Sequence, residues 1–128
     1  MADMTSGNTV PDRYVVVIGG MNMDICGRPT STVVDRDSNP GVVSMSAGGV
    51  GQNIAQNMAH LGMPTYLITV YGDDENGKTL ERSCAANNIN LDYAAQLEGR
   101  RSSTYMFITD SLSILPPTFA YEKAAGIH

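Results

Sequence analysis

The sequence predicts an α/β fold built on a parallel sheet, and three observations carry that prediction. The run Tyr14-Val15-Val16-Val17-Ile18 is apolar at successive positions, the pattern of a strand buried on both faces, and it breaks at Gly19-Gly20. The segment Ala47-Gly48-Gly49-Val50-Gly51-Gln52-Asn53-Ile54-Ala55 is a glycine cluster that runs straight into a helical pattern. Beyond it, strand-like and helix-like segments alternate, which indicates helical crossovers between parallel strands.

Taken in order, residues 1–13 are polar and small and read as a flexible leader. A strand is predicted over 14–20. A small β unit follows over 25–46, with short strands at 30–34 and 42–45 around the Asn39-Pro40-Gly41 turn. The helix predicted over 52–61 places Ile54, Met58 and Leu61 on its inward stripe and stops at Gly62, with Pro64 just beyond. A strand over 65–71 leads through Gly72-Asp73-Asp74 into a helix over 75–88. The paired acids there suit a helix N-terminus better than a metal site. Leu80, Cys84 and Ala85 form that helix's inward stripe, and Asn87-Asn88 its stop. Further strands are predicted at 93–96 and 104–109.

Ligands of open α/β sheets sit at the carboxyl ends of the strands, where this chain offers Asn22 and Asp24. If that segment stays extended, the two side chains point to the same side. An ionised carboxylate offers only acceptors and suits ligand hydroxyls, whereas an amide both donates and accepts. Taken alone, Asp24 reads equally as a turn cap, and Asn53 as a helix cap. Gly48, Gly49 and Gly51 permit the turn and let another molecule approach the backbone. Two phosphate-loop readings fail on spacing: Ile54 stands where a dinucleotide fingerprint needs its third glycine, and no Gly-Lys-Ser/Thr follows the cluster. A nicotinamide-binding domain is disfavoured for the same reason.

The ordered motifs Gly19 to Asp24, Gly48 to Asn53 and Gly72-Asp73-Asp74-Glu75-Asn76-Gly77 resemble the amino-terminal half of the PfkB, or ribokinase-like, sugar and nucleoside kinases. The resemblance covers 14–110. It implies a three-layer ribokinase-like sandwich with a parallel sheet and a small β lid at about 25–46, present as an incomplete amino-terminal portion. Asp37-Ser38-Asn39-Pro40-Gly41 and Ser102-Ser103-Thr104-Tyr105 look most like pseudouridine kinases within the family. By resemblance, the substrate side comprises Asn22, Asp24, Gly48, Gly49, Gly51, Asn53, Asn39 in the lid turn and Thr104. Val50 departs from ribokinase proper, where lysine is common, and so argues against a plain pentose.

The family carries its catalytic base in a Gly-x-Gly-Asp motif that these 128 residues do not contain. The resemblance implies ATP and Mg as cofactors of the complete enzyme, with neither bound strongly by this chain. From Ser111 the text departs from the family, so 111–128 reads as a divergent tail. The expected activity is ATP-dependent phosphorylation of a sugar or nucleoside hydroxyl. The alternative is a truncated, non-catalytic product that binds ligand or pairs with a partner.

With a net charge of -5 and scattered Lys and Arg, composition argues against a nucleic-acid surface. No apolar run approaches the ~18 residues of a membrane span. Cys26 and Cys84 are isolated, which favours incidental thiols in a cytoplasmic protein over a disulfide or metal site. His60, amid Met58, Ala59 and Leu61, reads as a packing or surface residue. Lid strands with unpaired edges invite a homodimer.

Overall fold

The computed structural model describes residues 10–109; the remainder of the expected leader and the expected tail at 111–128 lie outside the described residues. The elements are β1 (Val15–Ile18), β2 (Asn22–Pro29), β3 (Gly41–Gly48), α1 (Val50–His60), β4 (Thr65–Ile68), β5 (Val70–Gly72), α2 (Glu75–Ala86), β6 (Ile89–Asn90), β7 (Ala95–Leu97) and β8 (Thr104–Ile108). They form a parallel sheet β1-β4-β6, a three-stranded lid sheet β3-β2-β8 and a parallel pair β5-β7. The predicted parallel sheet, crossover helices and small β lid are therefore all present.

Register decides which residues make the core. Val17 pairs with Leu67, and Thr65 with both Val15 and Ile89, so Val17, Leu67 and Ile89 share one face of the main sheet. They cluster with Ala55 of α1 and with Leu80 and Cys84 of α2, so both helices cover that same face. The opposite face carries Tyr66, on which the rings of Tyr14 and Tyr93 pack at 5.7 and 5.6 Å. Val16 and Ile18, also on that face, remain 46% and 79% exposed, so the both-sides burial predicted for this strand is met on one side only among the described residues.

Other expectations shift for physical reasons. The strand predicted at 30–34 lies instead at 22–29, as β2. Pro29 ends it, and residues 30–40 form a loop closed by Thr30 N–H donating to Pro40 O at 3.1 Å. Asn22 and Asp24 are thus the first and third residues of a lid strand. β8 joins that lid, pairing in parallel with β2. The strand predicted at 65–71 is split at Thr69 into β4 and β5, which enter different sheets.

α1 begins two residues earlier than predicted, and its inward positions are Gly51, Gln52 and Ala55 rather than the Ile54, Met58 and Leu61 stripe. Ile54 and Leu61 are exposed and Met58 half-buried. Small residues at i and i+4 let this helix lie closer to the neighbouring backbone than Ile or Leu would allow. It ends as expected, with Gly62 at φ 86 and its N–H on Ala59 O at 3.0 Å. In α2, Leu80 and Cys84 are buried as predicted, whereas Ala85 is exposed. Asn87 caps that helix, and Asn88 turns the chain at φ 59.

Burial also separates the two thiols. Cys84 is 1% exposed and its thiol is pushed up to about 11 by desolvation, while Cys26 is half-buried on the lid. Since the thiolate is the reactive form, maleimide labelling of the folded chain is expected to modify Cys26 well before Cys84. Equal labelling rates under native conditions would contradict this burial pattern.

Candidate functional site: the junction of the lid and the first helix

Extended backbone places Asn22 and Asp24 on one face of β2, and the two side chains meet: Asn22 Nδ2 donates to Asp24 Oδ1 at 2.6 Å. In the β2–β3 ladder Asn22 lies opposite Gly48 and Asp24 opposite Ser46. The Asp24 carboxylate folds over Gly48, where any Cβ would overlap Oδ2. One residue on begins the N-terminus of α1, whose first turn carries no acidic residue, and such a helix end favours a negative charge beside it.

Gly49 caps that helix at φ 99, ψ 145 with no side-chain cap. A Cβ there would stand 2.7 Å from Gly20 O, 2.8 Å from Met21 Cα and 2.9 Å from Asn22 Oδ1. A Cβ on Gly51 would stand 2.6 Å from the carbonyl carbon of Gly19. Gln52 N–H donates to Gly20 O at 3.2 Å. The two glycine clusters of the sequence are thus packed backbone to backbone. At Gly49 and Gly51 the bare Cα makes room for the chain itself, and at Gly48 for the Asp24 carboxylate.

The remaining expected site residues are distributed unevenly. Asn53 is exposed one turn into α1, and its N–H is used by Gly49 O at 2.9 Å. Because Gly49 holds the N-cap, the capping alternative for Asn53 is removed. Asn39 lies beyond the far end of the β2–β3 hairpin, whose last pair, Pro29 with Gly41, is five register steps, or roughly 17 Å, from Asp24. Its amide closes the lid loop: Oδ1 accepts from Val34 N at 2.8 Å, and Nδ2 donates to Val34 O and Asp37 O, each at 3.0 Å. Thr104 pairs with Met23 and so points to the face opposite Asp24. The residue that shares the Asp24 face is its neighbour Tyr105, followed by Phe107 opposite Cys26.

A second polar cluster anchors the lid. Asp74 caps α2, its Oδ1 accepting from Gly77 N at 2.9 Å and from Ser102 Oγ at 2.7 Å, while Oδ2 accepts from Ser102 N at 3.0 Å. Ser102 Oγ in turn accepts from Gly72 N at 3.0 Å. The predicted helix start at Gly72-Asp73-Asp74 is therefore also a tie to the segment that begins β8. The motif at 102–105 gave no sign of the Asp74–Ser102 tie, because the two residues are 28 positions apart in the chain.

The Ser102 hydroxyl, followed by backbone N–H groups of Ser102 and Gly77, holds the Asp74 carboxyl below its ordinary value of 3.8. A carboxylate lowered in the folded state adds stability that is full above 3.8 and is lost as the pH falls through the lower folded value. Asp74→Ala is expected to cost about 2 kcal/mol near neutrality, from the lost cap and the Ser102 tie. In urea denaturation series, the gap to wild type should narrow in the acid range; a gap independent of pH would contradict the assignment.

Comparison with known proteins agrees with this architecture. The pfkB carbohydrate kinase family matches residues 12–116, extending slightly beyond 14–110 at both ends. An uncharacterized sugar kinase of Escherichia coli (strain K12), YeiI, is 40% identical over 97 residues, covering 76% of this chain and 27% of the relative. Pseudouridine kinase of the same organism is 36% identical over 98 residues, covering 77% and 31%. Among solved structures, a carbohydrate kinase from Agrobacterium tumefaciens superposes at a TM-score of 0.69 with 26% identity, over 77% of this chain and 32% of that one. Arabidopsis thaliana ribokinase complexed with ribose and ATP superposes at 0.69 with 24% identity, over 79% and 33%, which speaks to the fold alone. The chain spans about a third or less of the length of these relatives. With the family match covering most of its residues and the lid, glycine junction and parallel sheet all in place, the chain belongs to the pfkB family of carbohydrate kinases.

Proposed function

We propose that this chain forms the substrate and lid side of an ATP-dependent kinase acting on a sugar or nucleoside hydroxyl, with a pseudouridine-type riboside as the favoured substrate. The observation that carries the reading is the Asn22–Asp24 pair, held beside the α1 N-terminus over a glycine that leaves it room. A carboxylate with one oxygen fixed by Asn22 is oriented to accept from ligand hydroxyls, and the pairing supplies a donor and an acceptor side by side. The lid sheet extends from this point and would exclude water around a bound sugar, which phosphoryl transfer requires. ATP and Mg would serve the complete enzyme. No Gly-x-Gly-Asp motif occurs in these 128 residues, so the chain by itself is proposed to bind substrate without transferring phosphate. Equilibrium dialysis with labelled ribose and pseudouridine, alongside a phosphorylation assay with labelled ATP, tests both parts. Retention of the riboside without product is the expected result; no retention, or turnover by the purified chain, would contradict it.

A homodimer through the lid strands belongs to the same proposal. β3 and β8 are the edges of the lid sheet, and Val43, Met45, Met106 and Ile108 are exposed on the face away from Asp24. Sedimentation showing a monomer at the highest soluble concentration would remove it.

A further inference from the structure

We infer that Asn76 is a site of hydrolytic modification, deamidation through a cyclic imide with water as co-reactant, and that the Asp74 cap of α2 sets its rate. Asparagine is among the chemically labile side chains, and Asn76-Gly77 is the one Asn-Gly pair in the sequence. A glycine after it leaves the backbone nitrogen uncrowded and free to reach the geometry that ring closure needs. Position 77 does not accept a larger residue: a Cβ there would overlap Gly72 O and stand 3.1 Å from Ser102 Oγ. The packing of α2 against the segment leading into β8 therefore builds the susceptible pair into the chain. The Asn76 side chain is half-buried and lines a recess of about 310 Å³ with Arg101, Ser102 and Thr104. Its amide makes no hydrogen bond among the described residues.

In the reaction the Gly77 nitrogen gives up its proton to solvent and attacks Asn76 Cγ. The Cγ–Nδ2 bond breaks, ammonia leaves with a proton taken from water, and a succinimide remains. Water then adds to either ring carbonyl. Opening on the side-chain side gives aspartate; opening on the backbone side gives isoaspartate, in which the main chain runs through Cγ. No group is oxidised or reduced. The structure opposes the first step at the nitrogen itself. Gly77 N–H donates to Asp74 Oδ1 at 2.9 Å, and a carboxylate so close disfavours the anionic nitrogen that must form. Lys78 N–H, donating to Asp74 O at 3.1 Å, holds the same turn helical. Ring closure thus waits on opening of the first turn of α2. Isoaspartate lengthens the backbone within that turn and so draws Gly77 away from Asp74. The same carboxylate ties Ser102 to the helix, so the modification loosens β8 at its root.

The test incubates the full chain in neutral buffer, folded and unfolded in guanidinium chloride, and follows Asn76 by peptide mass mapping with an isoaspartate readout. Wild type is compared with Asp74→Ala, Asp74→Ser and Ser102→Ala. Folded Asp74→Ala is expected to deamidate at Asn76 about tenfold faster than wild type, the factor that loss of a helix cap allows. Serine keeps an acceptor for Gly77 N–H, and Ser102→Ala removes the tie while leaving the cap, so both should stay near the wild-type rate. Equal rates in Asp74→Ala and wild type would overturn the inference. So would acceleration of Ser102→Ala to match Asp74→Ala, which would trace the rate to general loosening. Hydrogen exchange on the wild type keeps the test independent of whether a variant folds. Relative to the unfolded chain, deamidation at Asn76 should be slowed by the same factor as exchange of the Gly77 amide. A folded wild type that deamidates there as fast as the unfolded chain, or an absence of isoaspartate at Asn76 in both states, would equally contradict it.

Discussion

Gly49→Ala is expected to destabilise the chain by about 3–5 kcal/mol, combining backbone strain with overpacking. At φ 99, ψ 145 the residue occupies a region that glycine alone adopts without strain, and the new methyl would press on Gly20 O, Met21 Cα and Asn22 Oδ1 at once. Two of those three atoms are backbone, so no side-chain rotation relieves the contact. Gly20→Ala provides the control, because a Cβ there meets nothing within 4 Å. Urea denaturation should show Gly20→Ala close to wild type and Gly49→Ala shifted by a large fraction of the typical 5–15 kcal/mol of domain stability. Equal midpoints for the two variants would show that the close packing of the two glycine clusters is not what fixes this junction.

The second large effect concerns ligand affinity. Asp24→Ala removes the acceptors beside the α1 N-terminus, and losing a hydrogen bond to a charged group costs about 1.5–3 kcal/mol, or roughly a ten- to hundredfold weaker riboside interaction. Gly48→Ala should reproduce part of that loss by a different route. Its methyl overlaps the Asp24 carboxylate, a side-chain group that can rotate away, so the fold survives while the Asn22–Asp24 pairing is broken. Asn39→Ala is expected to loosen the lid loop with a smaller effect on affinity, since its amide is committed to Val34 and Asp37. Calorimetric titration of the three variants should rank them Asp24→Ala, Gly48→Ala, Asn39→Ala in decreasing effect. Asn39→Ala as the most damaging change would move the site toward the lid tip.

How far the residues could be read in advance depended on whether the information was local. The apolar run at 14–18, the glycine stop at Gly62, the Asp74 helix start and the Asn87-Asn88 stop are set by neighbouring residues, and all are found where expected. Helical periodicity misplaced the inward stripe of α1 because Ile54 is more hydrophobic than Gly51 or Ala55, yet close approach to Gly19 selects the small residues. Propensity favoured a strand at 30–34 for its β-branched residues, but Pro29 and the Asn39 clamp made that segment a loop. The Asn22–Asp24 pair was legible from extended-chain alternation alone. That Tyr105 and not Thr104 shares the face of Asp24 was not, because which residues of β8 lie on that face is fixed by register with β2, and nothing local to residues 102–108 states that register. The Asp74–Ser102 tie was hidden for the same reason.

Binding of the sugar moiety at the junction of β2 with α1 can be read by mapping backbone amide shifts of the full chain on addition of pseudouridine. Perturbations are expected to concentrate at Asn22, Asp24, Gly48, Gly49 and Gly51 and to be absent in Asp24→Ala, with Asn39 and the exposed strand face at Val16 and Ile18 unmoved. Saturable shifts clustered at the lid tip or on that outer face, with the Asn22–Asp24 amides unchanged, would contradict it.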